Sequence, residues 1–275
     1  MTASHCQPHA DDADAVLESS DQVKFCVHRC ILSAASPFFE HMFSLPQPPS
    51  ESRGENCRPV IPVSECSSTL SAVLQFVYPE PDPVVTSLDE LSTLLSTAVK
   101  YDLLGVVAAL RKELVASKFL EDCPLRVYAI ASRFELEHEA QIASRHTLSL
   151  NILDCPLCDD LKFISAHAYH RLLVLHKTRA EAAQGLLSVS RDVKCMQCSG
   201  PYYGAFVPPK WWKEFEKLAK EELALRPTSQ AIFSMPFLAR AASASGCLRC
   251  ASSILDAHEF LAGLKKQIDD LPSTI

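Results

Sequence analysis

Two cysteine pairs near the end of the chain have the spacing of metal ligands. They are Cys195-Met-Gln-Cys198 and Cys247-Leu-Arg-Cys250, and residues 199 to 246 lie between them. A two-residue spacer places both sulfurs of a pair on one side of a tight turn, and two such pairs can close a tetrahedral four-thiolate site. We therefore predict a structural Zn²⁺ site with Cys195, Cys198, Cys247 and Cys250 as its ligands, which leaves no open coordination position for catalysis.

Two other interpretations of these cysteines are open. The four thiols could be free side chains near helix ends, or one pair could be a redox Cys-x-x-Cys motif. The redox interpretation requires the strand, turn and helix of a thioredoxin-like site, and neither pair lies in such a pattern.

A third pair, Cys155 and Cys158, is followed by His167 and His170 on a predicted helix. These four residues could form a second metal site. The acidic residues directly after Cys158, however, favour a turn and a helix start at this position.

Near the N-terminus, Cys26, His28 and Cys30 have the spacing of half a metal site. Cys26 and His28 share one face of a predicted strand, whereas Cys30 follows the change to helical periodicity. We therefore expect no metal site here. His28 is expected to cap or hydrogen-bond the strand-to-helix junction, and both cysteines are expected to be small buried hydrophobic residues.

The patterns of nucleotide-binding and hydrolytic enzymes are missing from the sequence. The seven glycines form no phosphate-binding loop, and there is no G-x-S-x-G motif. His138-Glu139 and His258-Glu259 begin like zinc-protease helices, but Ile142 and Ala262 stand in place of the second histidine. A Cys-His hydrolase stays open, because its residues meet only in the fold. We predict that the chain is not an enzyme and has no catalytic or cofactor-binding residues.

The composition is that of a folded, soluble protein. The chain has 275 residues, 48% of them hydrophobic, and a formal net charge of −7. It shows no apolar run long enough for a membrane span and no secretory signal, so we expect a cytoplasmic or nuclear location without membrane partners. Binding to nucleic acid is not expected, because it needs clustered basic residues.

The first elements along the chain alternate between strand and helix patterns. Residues 14–28 form two short strand patterns joined by a four-residue turn, and Val23, Phe25 and Val27 alternate with other side chains in the second one. This predicts a β-hairpin. Helical spacing follows, with Ser36-Pro37 as N-cap and first helical residue, and residues 60–63 read as a short strand. Ser87 has the spacing of a capping box with Glu90.

The elements that would position the two cysteine pairs are helices. One amphipathic helix follows Pro208-Pro209, and its inward side chains are Trp211, Trp212, Phe215 and Leu218. A second amphipathic pattern presents Ile254, Leu255, Leu261, Leu264 and Ile268. A shorter helix is expected over residues 232–242. The tryptophans are expected in the core, although an exposed aromatic anchor for a partner is the alternative.

The N-terminal segment resembles the opening of the BTB/POZ domain. The resemblance begins with DAVLESSDQVKFCVHRCILSAASPFFEHMF from Asp14, in which His28-Arg29, Ile31-Leu32, Ser36 and Phe39 occupy the family's places. It continues through Phe76-Val77-Tyr78 and LSTLLSTAVKYDL, Leu91 to Leu103. With PLRVYAIASRF after it, the chain is most similar to the BTB-containing proteins of unknown function in basidiomycete fungi.

This resemblance implies an α+β, mostly helical fold, in which a small sheet is wrapped by helices. The BTB/POZ-like domain is expected over residues 13–120, and a helical extension over residues 121–187. A helical region over residues 188–275, closed by the two cysteine pairs, is expected to follow.

The family also implies a function, because BTB/POZ domains are protein–protein interaction modules. We expect an adaptor or scaffold without catalysis of its own. Many members dimerise, but the segment that they exchange has no counterpart before Asp14, so a homodimer is left open. Some members dock cullin scaffolds, which is a weaker alternative here because residues 45–59 show no hydrophobic-x-Glu element.

A second class of function is a transcription-associated factor that uses the C-terminal zinc region. A DNA-binding region needs a basic stripe and salt-sensitive affinity. Lysines and glutamates instead interleave between Lys210 and Glu222, which is typical of a solvated helix face.

Overall fold

The computed structural model of the chain describes residues 12–45, 58–199 and 206–275. The chain divides into two compact units, Met1–Ala116 and Ser117–Ile275. In the described residues, the first unit combines a small sheet with helices and the second contains helices without a strand. Every helix in these ranges is too short or too polar to span a lipid bilayer.

The sheet of the first unit has three strands in the order β2, β1, β3. The strands are β1 (Ala15–Glu18), β2 (Lys24–Val27) and β3 (Val60–Pro62). β1 pairs antiparallel with β2 and parallel with β3. The turn after β1 is closed by Ser19, whose hydroxyl accepts the backbone N–H of Val23 at 3.0 Å. The predicted hairpin over residues 14–28 is therefore confirmed.

Five helices surround this sheet in the described part of the first unit. They are α1 (Arg29–Ala35), α2 (Pro37–Ser44), α3 (Ser67–Val77), α4 (Leu88–Lys100) and α5 (Leu104–Leu114). The core is aliphatic and aromatic, with Leu17, Leu32, Phe39, Leu91, Leu95 and Leu110 buried. The polar side chains that this unit buries, among its described residues, are serines and threonines.

Both N-caps predicted in the first unit are present. The Ser36 hydroxyl accepts the backbone N–H of Phe39 at 3.2 Å, and the Ser87 hydroxyl accepts that of Glu90 at 3.2 Å. The reciprocal half of the capping box differs from the prediction. The Glu90 carboxylate accepts the backbone N–H of Thr86 at 3.0 Å, because Thr86 offers both its N–H and its hydroxyl to the same oxygen.

His28 joins the strand-to-helix junction to the end of α3. Its backbone N–H donates to the Tyr78 hydroxyl at 2.9 Å, and its ring lies within 3.2 Å of the same oxygen. The predicted hydrogen bonding is confirmed, but His28 makes no side-chain cap to α1. Cys26 is half-buried and Cys30 is exposed. The prediction of two buried cysteines is therefore wrong for Cys30, because α1 starts at Arg29 and turns this side chain outward, and Cys26 is only partly buried.

The second unit is helical in its described residues. The helices are α6 (Ser117–Asp122), α7 (Pro124–Arg133), α8 (Glu137–Thr147), α9 (Ala166–Gly185), α10 (Lys210–Leu225), α11 (Ser229–Ile232), α12 (Met235–Ala244), α13 (Cys250–Asp256) and α14 (His258–Asp269). A 3-10 turn, Asp159–Phe163, begins where the acidic pair after Cys158 predicted a helix start. The boundaries predicted at residues 120 and 187 stay predictions.

Two helical predictions in this unit need correction. The helix expected over residues 232–242 is broken after α11, because Ser234 caps α12 and Pro236 stands in its first turn. The C-terminal pattern forms α13 and α14 rather than one continuous stripe. Leu255, which was expected to point inward, is 64% exposed, because the break at Ala257 ends the register of α13 before α14 begins.

The C-terminal helices enclose an aromatic core. Trp211, Trp212 and Phe215 on α10 are fully buried. The two indole rings meet edge-on with centroids 5.7 Å apart, and Trp212 contacts Phe260 of α14 in the same way at 5.5 Å. The burial predicted for both tryptophans is confirmed.

A buried arginine connects α9 to the end of α14. The Arg179 guanidinium donates to the carbonyls of Pro227 at 2.9 Å, Ile268 at 2.8 Å and Pro272 at 2.8 Å, and also to that of Leu271. Burial lowers the pKa of Arg179, and the charge of Asp269 opposes this shift. The second unit therefore depends on polar contacts that are distant in sequence.

Candidate metal centre

The structure brings the four predicted cysteines together. Their sulfur atoms all lie within 4.8 Å of one another. The Sγ atoms of Cys195 and Cys247 are 3.8 Å apart, and those of Cys198 and Cys250 are 3.7 Å apart. A tetrahedron with metal–sulfur bonds of about 2.3 Å has edges of about 3.8 Å. The four cysteines could therefore hold a metal ion.

Local backbone geometry places each pair. In the first pair, the Ser199 hydroxyl accepts the backbone N–H of Cys195 at 3.1 Å, and the Ser199 N–H donates to the Cys195 carbonyl at 3.0 Å. In the second, the backbone N–H of Cys250 donates to the Cys247 carbonyl at 3.1 Å. Gly246, at φ 62°, lies just after α12 and turns the chain into Cys247. A side chain here would be strained, because this backbone conformation favours glycine.

The first turn of α10 lies against the site. The backbone N–H of Lys210, the first residue of α10, donates to the Cys198 sulfur at 3.3 Å. This end of the helix carries partial positive charge, which stabilises a thiolate. The next residue, Trp211, donates its indole N–H to the Ser253 hydroxyl at 2.9 Å, and Ser253 donates to the Lys194 carbonyl at 2.8 Å. The aromatic core and the cysteine site therefore share one hydrogen-bonded frame.

The thiols of Cys195 and Cys198 bind protons with different affinity. Burial alone would raise the pKa of Cys195, but the backbone N–H groups of Gln197 and Cys198 lower it to about 7. Burial, together with hydrogen bonds to neighbouring thiols, raises the pKa of Cys198 to about 12. Cys195 therefore carries negative charge more readily than Cys198, and a bound cation would displace protons from the thiols.

The arrangement is closed. Four sulfur ligands complete a tetrahedron and leave no position for water or substrate, so a metal ion here would cross-link the chain. It would join the segment before α10 to the start of α13. The strand that a thioredoxin-like redox motif requires has no counterpart in the described residues of this unit.

The other cysteine and histidine sets are placed differently. Cys155 and Cys158 are half-buried, and the Cys155 thiol donates to the Asn151 carbonyl at 3.3 Å. His167 and His170 are exposed on α9. In the described ranges, neither this set nor Cys26, His28 and Cys30 joins a cluster of three or more ligand atoms.

Three residues that support the cysteine site were not predicted from the sequence. Ser253 and the backbone N–H of Lys210 leave no pattern, because a serine and a main-chain donor occur at many positions. Gly246 did offer a signal, since a glycine between an amphipathic helix and a cysteine is typical of a left-handed helix end.

Comparison with known proteins identifies the first unit. The family model of the BTB/POZ domain matches residues 5–118. A search of curated proteins found no match to the chain. The predicted α+β, mostly helical fold is confirmed, and so is the predicted resemblance over this segment. The sheet β2-β1-β3, wrapped by α1 to α5, lies within the matched residues. Residues 5–118 of the chain are a BTB/POZ domain, a module that binds other proteins.

Proposed function

We propose that the chain is an adaptor or scaffold that binds a partner protein through its BTB/POZ domain and has no catalysis of its own. The observation that carries this proposal is the family match over residues 5–118, because BTB/POZ domains mediate binding to other proteins. The finer likeness to the basidiomycete BTB proteins is part of the same proposal and rests on the sequence alone.

We propose Zn²⁺ as the occupant of the four-cysteine site. The donor set is entirely sulfur, and soft thiolate ligands select Zn²⁺ over Mg²⁺ or Ca²⁺, which prefer oxygen. The sulfur separations of 3.7 Å and 3.8 Å fit the edges of a zinc–thiolate tetrahedron. When bound, the ion supplies a cross-link, and Cys195, Cys198, Cys247 and Cys250 hold it.

The two alternative functions gain no specific support. The loop in which a cullin-docking element was sought falls largely outside the described residues, at positions 46–57. For DNA binding, the α10 surface pairs Lys220 with Glu216 at 2.6 Å, which is a mixed-charge face rather than a basic stripe.

Affinity purification of the tagged full-length chain from its native cell, followed by cross-linking mass spectrometry, tests the adaptor proposal. We expect a stoichiometric protein partner whose cross-links fall within residues 12–116. A matched preparation carrying Leu104→Asp, at an exposed apolar position in this unit, probes whether the bound face includes α5. Recovery of no stable partner, or cross-links confined to residues 117–275, would contradict the proposal.

A further inference from the structure

A cavity of about 390 Å³ lies in the second unit, between α9, the end of α10 and residues 151–153. This volume falls within the range of about 300 to 1,000 Å³ that is usual for small-molecule sites. Hydrophobic side chains form most of its wall: Ile152, Leu153, Leu173, Ala180, Ala224 and Leu225. Its described lining residues all belong to the second unit, and the four cysteines of the candidate metal centre are not among them.

His176 of α9 is the buried polar side chain of this wall. It is 8% exposed, so more than nine-tenths of it is buried. The other polar residues that line the cavity are exposed or half-buried, and they are Asn151, Lys177, Glu181 and Gln184. Lys177 and Glu181 pair with each other at 4.0 Å. His176 is therefore the polar group that can select a ligand inside the cavity.

The hydrogen bonds around Thr147 fix the tautomer of His176. The Thr147 hydroxyl donates its single proton to the Ser144 carbonyl at 2.6 Å. The same hydroxyl lies 3.0 Å from Nε2 of His176, where it can only accept. Burial lowers the pKa of His176 to about 4, so the ring is neutral at pH 7. Nε2 therefore carries the one ring proton, and Nδ1 is a bare acceptor.

The Nδ1 atom of His176 is accessible to a ligand. Within the described ranges of the chain, the hydrogen bond of this ring is the one from Nε2 to Thr147. Every fully enclosed side-chain nitrogen or oxygen in these ranges has a partner, so Nδ1 is not fully enclosed. Because His176 lines the cavity, this atom is reached from the cavity. A ligand here has to supply an O–H or N–H donor, and a molecule of the same shape without one leaves the acceptor unpaired.

We propose that this cavity binds a small neutral alcohol or phenol, whose hydroxyl donates to Nδ1 of His176 while its hydrocarbon part packs against Ile152 and Ala180. A carboxylic acid does not suit the site, because it is ionised at pH 7 and has no proton to donate. An ammonium group can donate, but its charge is costly to bring against an apolar wall. A small-molecule site in the second unit goes beyond the proposed function, which is the binding of a protein by the BTB/POZ domain.

Isothermal titration calorimetry of the full-length chain at pH 7 tests the proposal with a pair of isomers. The probe is 1-octanol, which has a hydroxyl donor. Heptyl methyl ether has the same atoms and a similar shape but no donor, and octanoate has a carboxylate in place of the hydroxyl. We expect 1-octanol to bind at least about tenfold more tightly than either control. Titration with 4-propylphenol shows whether aromatic or aliphatic hydroxyl compounds are preferred.

Variants of the chain locate the binding. Ala224→Phe places a ring at the mouth of the cavity and should weaken 1-octanol about tenfold or more. Ala182→Phe makes the same change at an exposed position of α9 outside the cavity and should leave binding unchanged. His176→Phe keeps a ring but removes the acceptor, so 1-octanol and its ether isomer should bind with similar affinity. Native tryptophan fluorescence checks that each variant is folded.

Three results would overturn the proposal. The first is that neither 1-octanol nor 4-propylphenol binds at about millimolar concentration. The second is equal binding of the alcohol and the ether to the natural chain, which would mean that water alone occupies the site at Nδ1. The third is that Ala224→Phe has no effect. If His176→Phe does not fold, the isomer pair and Ala224→Phe still decide. Because the partner of the BTB/POZ domain is measured separately by cross-linking, failure here leaves the proposed function standing.

Discussion

The two compact units of the chain are stabilised by different interactions. Among its described residues, the BTB/POZ unit buries hydrophobic side chains, such as Leu17 of β1 and Leu91 of α4, together with serines and threonines. The second unit also buries His176, Arg179 and the thiols of Cys195 and Cys250. Its structure therefore depends on groups that are costly to bury unless each finds its partner.

Because of this difference, stabilisation is distributed over the residues of the two units in different ways. A hydrophobic core distributes stabilisation over many contacts, so each residue contributes a few kcal/mol. Buried polar interactions concentrate stabilisation in few residues, because the loss of one partner leaves the other buried group without a hydrogen bond. We therefore expect single substitutions of these buried polar groups to destabilise the second unit strongly.

Removal of the proposed Zn²⁺ should have the largest effect. Binding of Zn²⁺ to four thiolates contributes on the order of 10 kcal/mol, which is comparable to the stability of a whole domain. A chelator, or Cys250→Ser, should therefore unfold the C-terminal aromatic core. The chain has two tryptophans, Trp211 and Trp212, and both are buried in this core. Unfolding is read as a red shift of tryptophan fluorescence.

Cys158→Ser is the matched control for this change. Cys158 also belongs to a Cys-x-x-Cys pair and is half-buried, but it lies outside the four-sulfur cluster. Its replacement should leave the fluorescence unchanged. Circular dichroism after chelation should retain the signal of a folded BTB/POZ unit, which would show that only the second unit depends on the metal. Unchanged tryptophan fluorescence after complete metal removal would contradict this difference between the units.

Arg179→Met should have the next largest effect. The substitution keeps the apolar stem but leaves the carbonyls of Pro227, Ile268, Leu271 and Pro272 without their donor. We expect a loss of about 4 kcal/mol in the free energy of unfolding of the second unit, measured by denaturant titration of tryptophan fluorescence.

Arg171→Met serves as the control for Arg179. Arg171 pairs with Glu137 at 2.6 Å on the surface, and such pairs contribute less than about 1 kcal/mol. Equal losses in the free energy of unfolding for the two variants would show that Arg179 contributes no more to stability than a surface ion pair.

His176 should make the second unit sensitive to acid. It is 8% exposed, and burial lowers its pKa from 6.5 to about 4. The folded state therefore resists protonation that the unfolded state accepts. The free energy of unfolding therefore keeps its full value above about pH 6.5 and decreases as the pH falls towards about 4. We expect a loss of about 2 kcal/mol between pH 7 and pH 5. Unfolding free energies at both values measure it.

His176→Gln removes this titration while it keeps a polar side chain near the Thr147 hydroxyl, which lies 3.0 Å from the histidine ring. The variant should lose less stability than the natural chain over the same pH interval. Identical pH dependence in the two proteins would exclude His176 as the source.

Ser87→Ala in the BTB/POZ unit should have the smallest effect. It removes the hydroxyl that accepts the backbone N–H of Glu90 at the start of α4. We expect a loss of about 1 kcal/mol, measured by thermal unfolding followed by circular dichroism. Ser71→Ala, at an exposed position within α3, is the control and should be neutral or slightly stabilising. A larger loss of stability for Ser87→Ala than for Arg179→Met would contradict the expected difference between the two units.

The parts of the fold that follow local rules could be predicted from the sequence. The hairpin, the caps at Ser36 and Ser87 and the inward face of α10 depend on neighbouring residues, so periodicity and turn chemistry indicate them. The grouping of the four cysteines was also accessible, because each spacer sets the geometry of its own pair.

Long-range polar partners could not be predicted in this way. Arg179 binds carbonyls that every residue possesses, at positions from Pro227 to Pro272, and such partners leave no trace in side-chain type. The exposure of Leu255 was missed for a related reason. Its periodicity fits an inward face, but the break at Ala257 changes the register between α13 and α14.

Metal analysis of the purified full-length chain tests whether Zn²⁺ occupies the four-cysteine site. Inductively coupled plasma mass spectrometry should find about one zinc ion per chain, as four thiolates around one tetrahedral site require. Cys195→Ser, measured alongside it, should contain much less zinc. About zero zinc in the natural chain, purified without chelators, would contradict the proposal that a zinc ion cross-links the second unit.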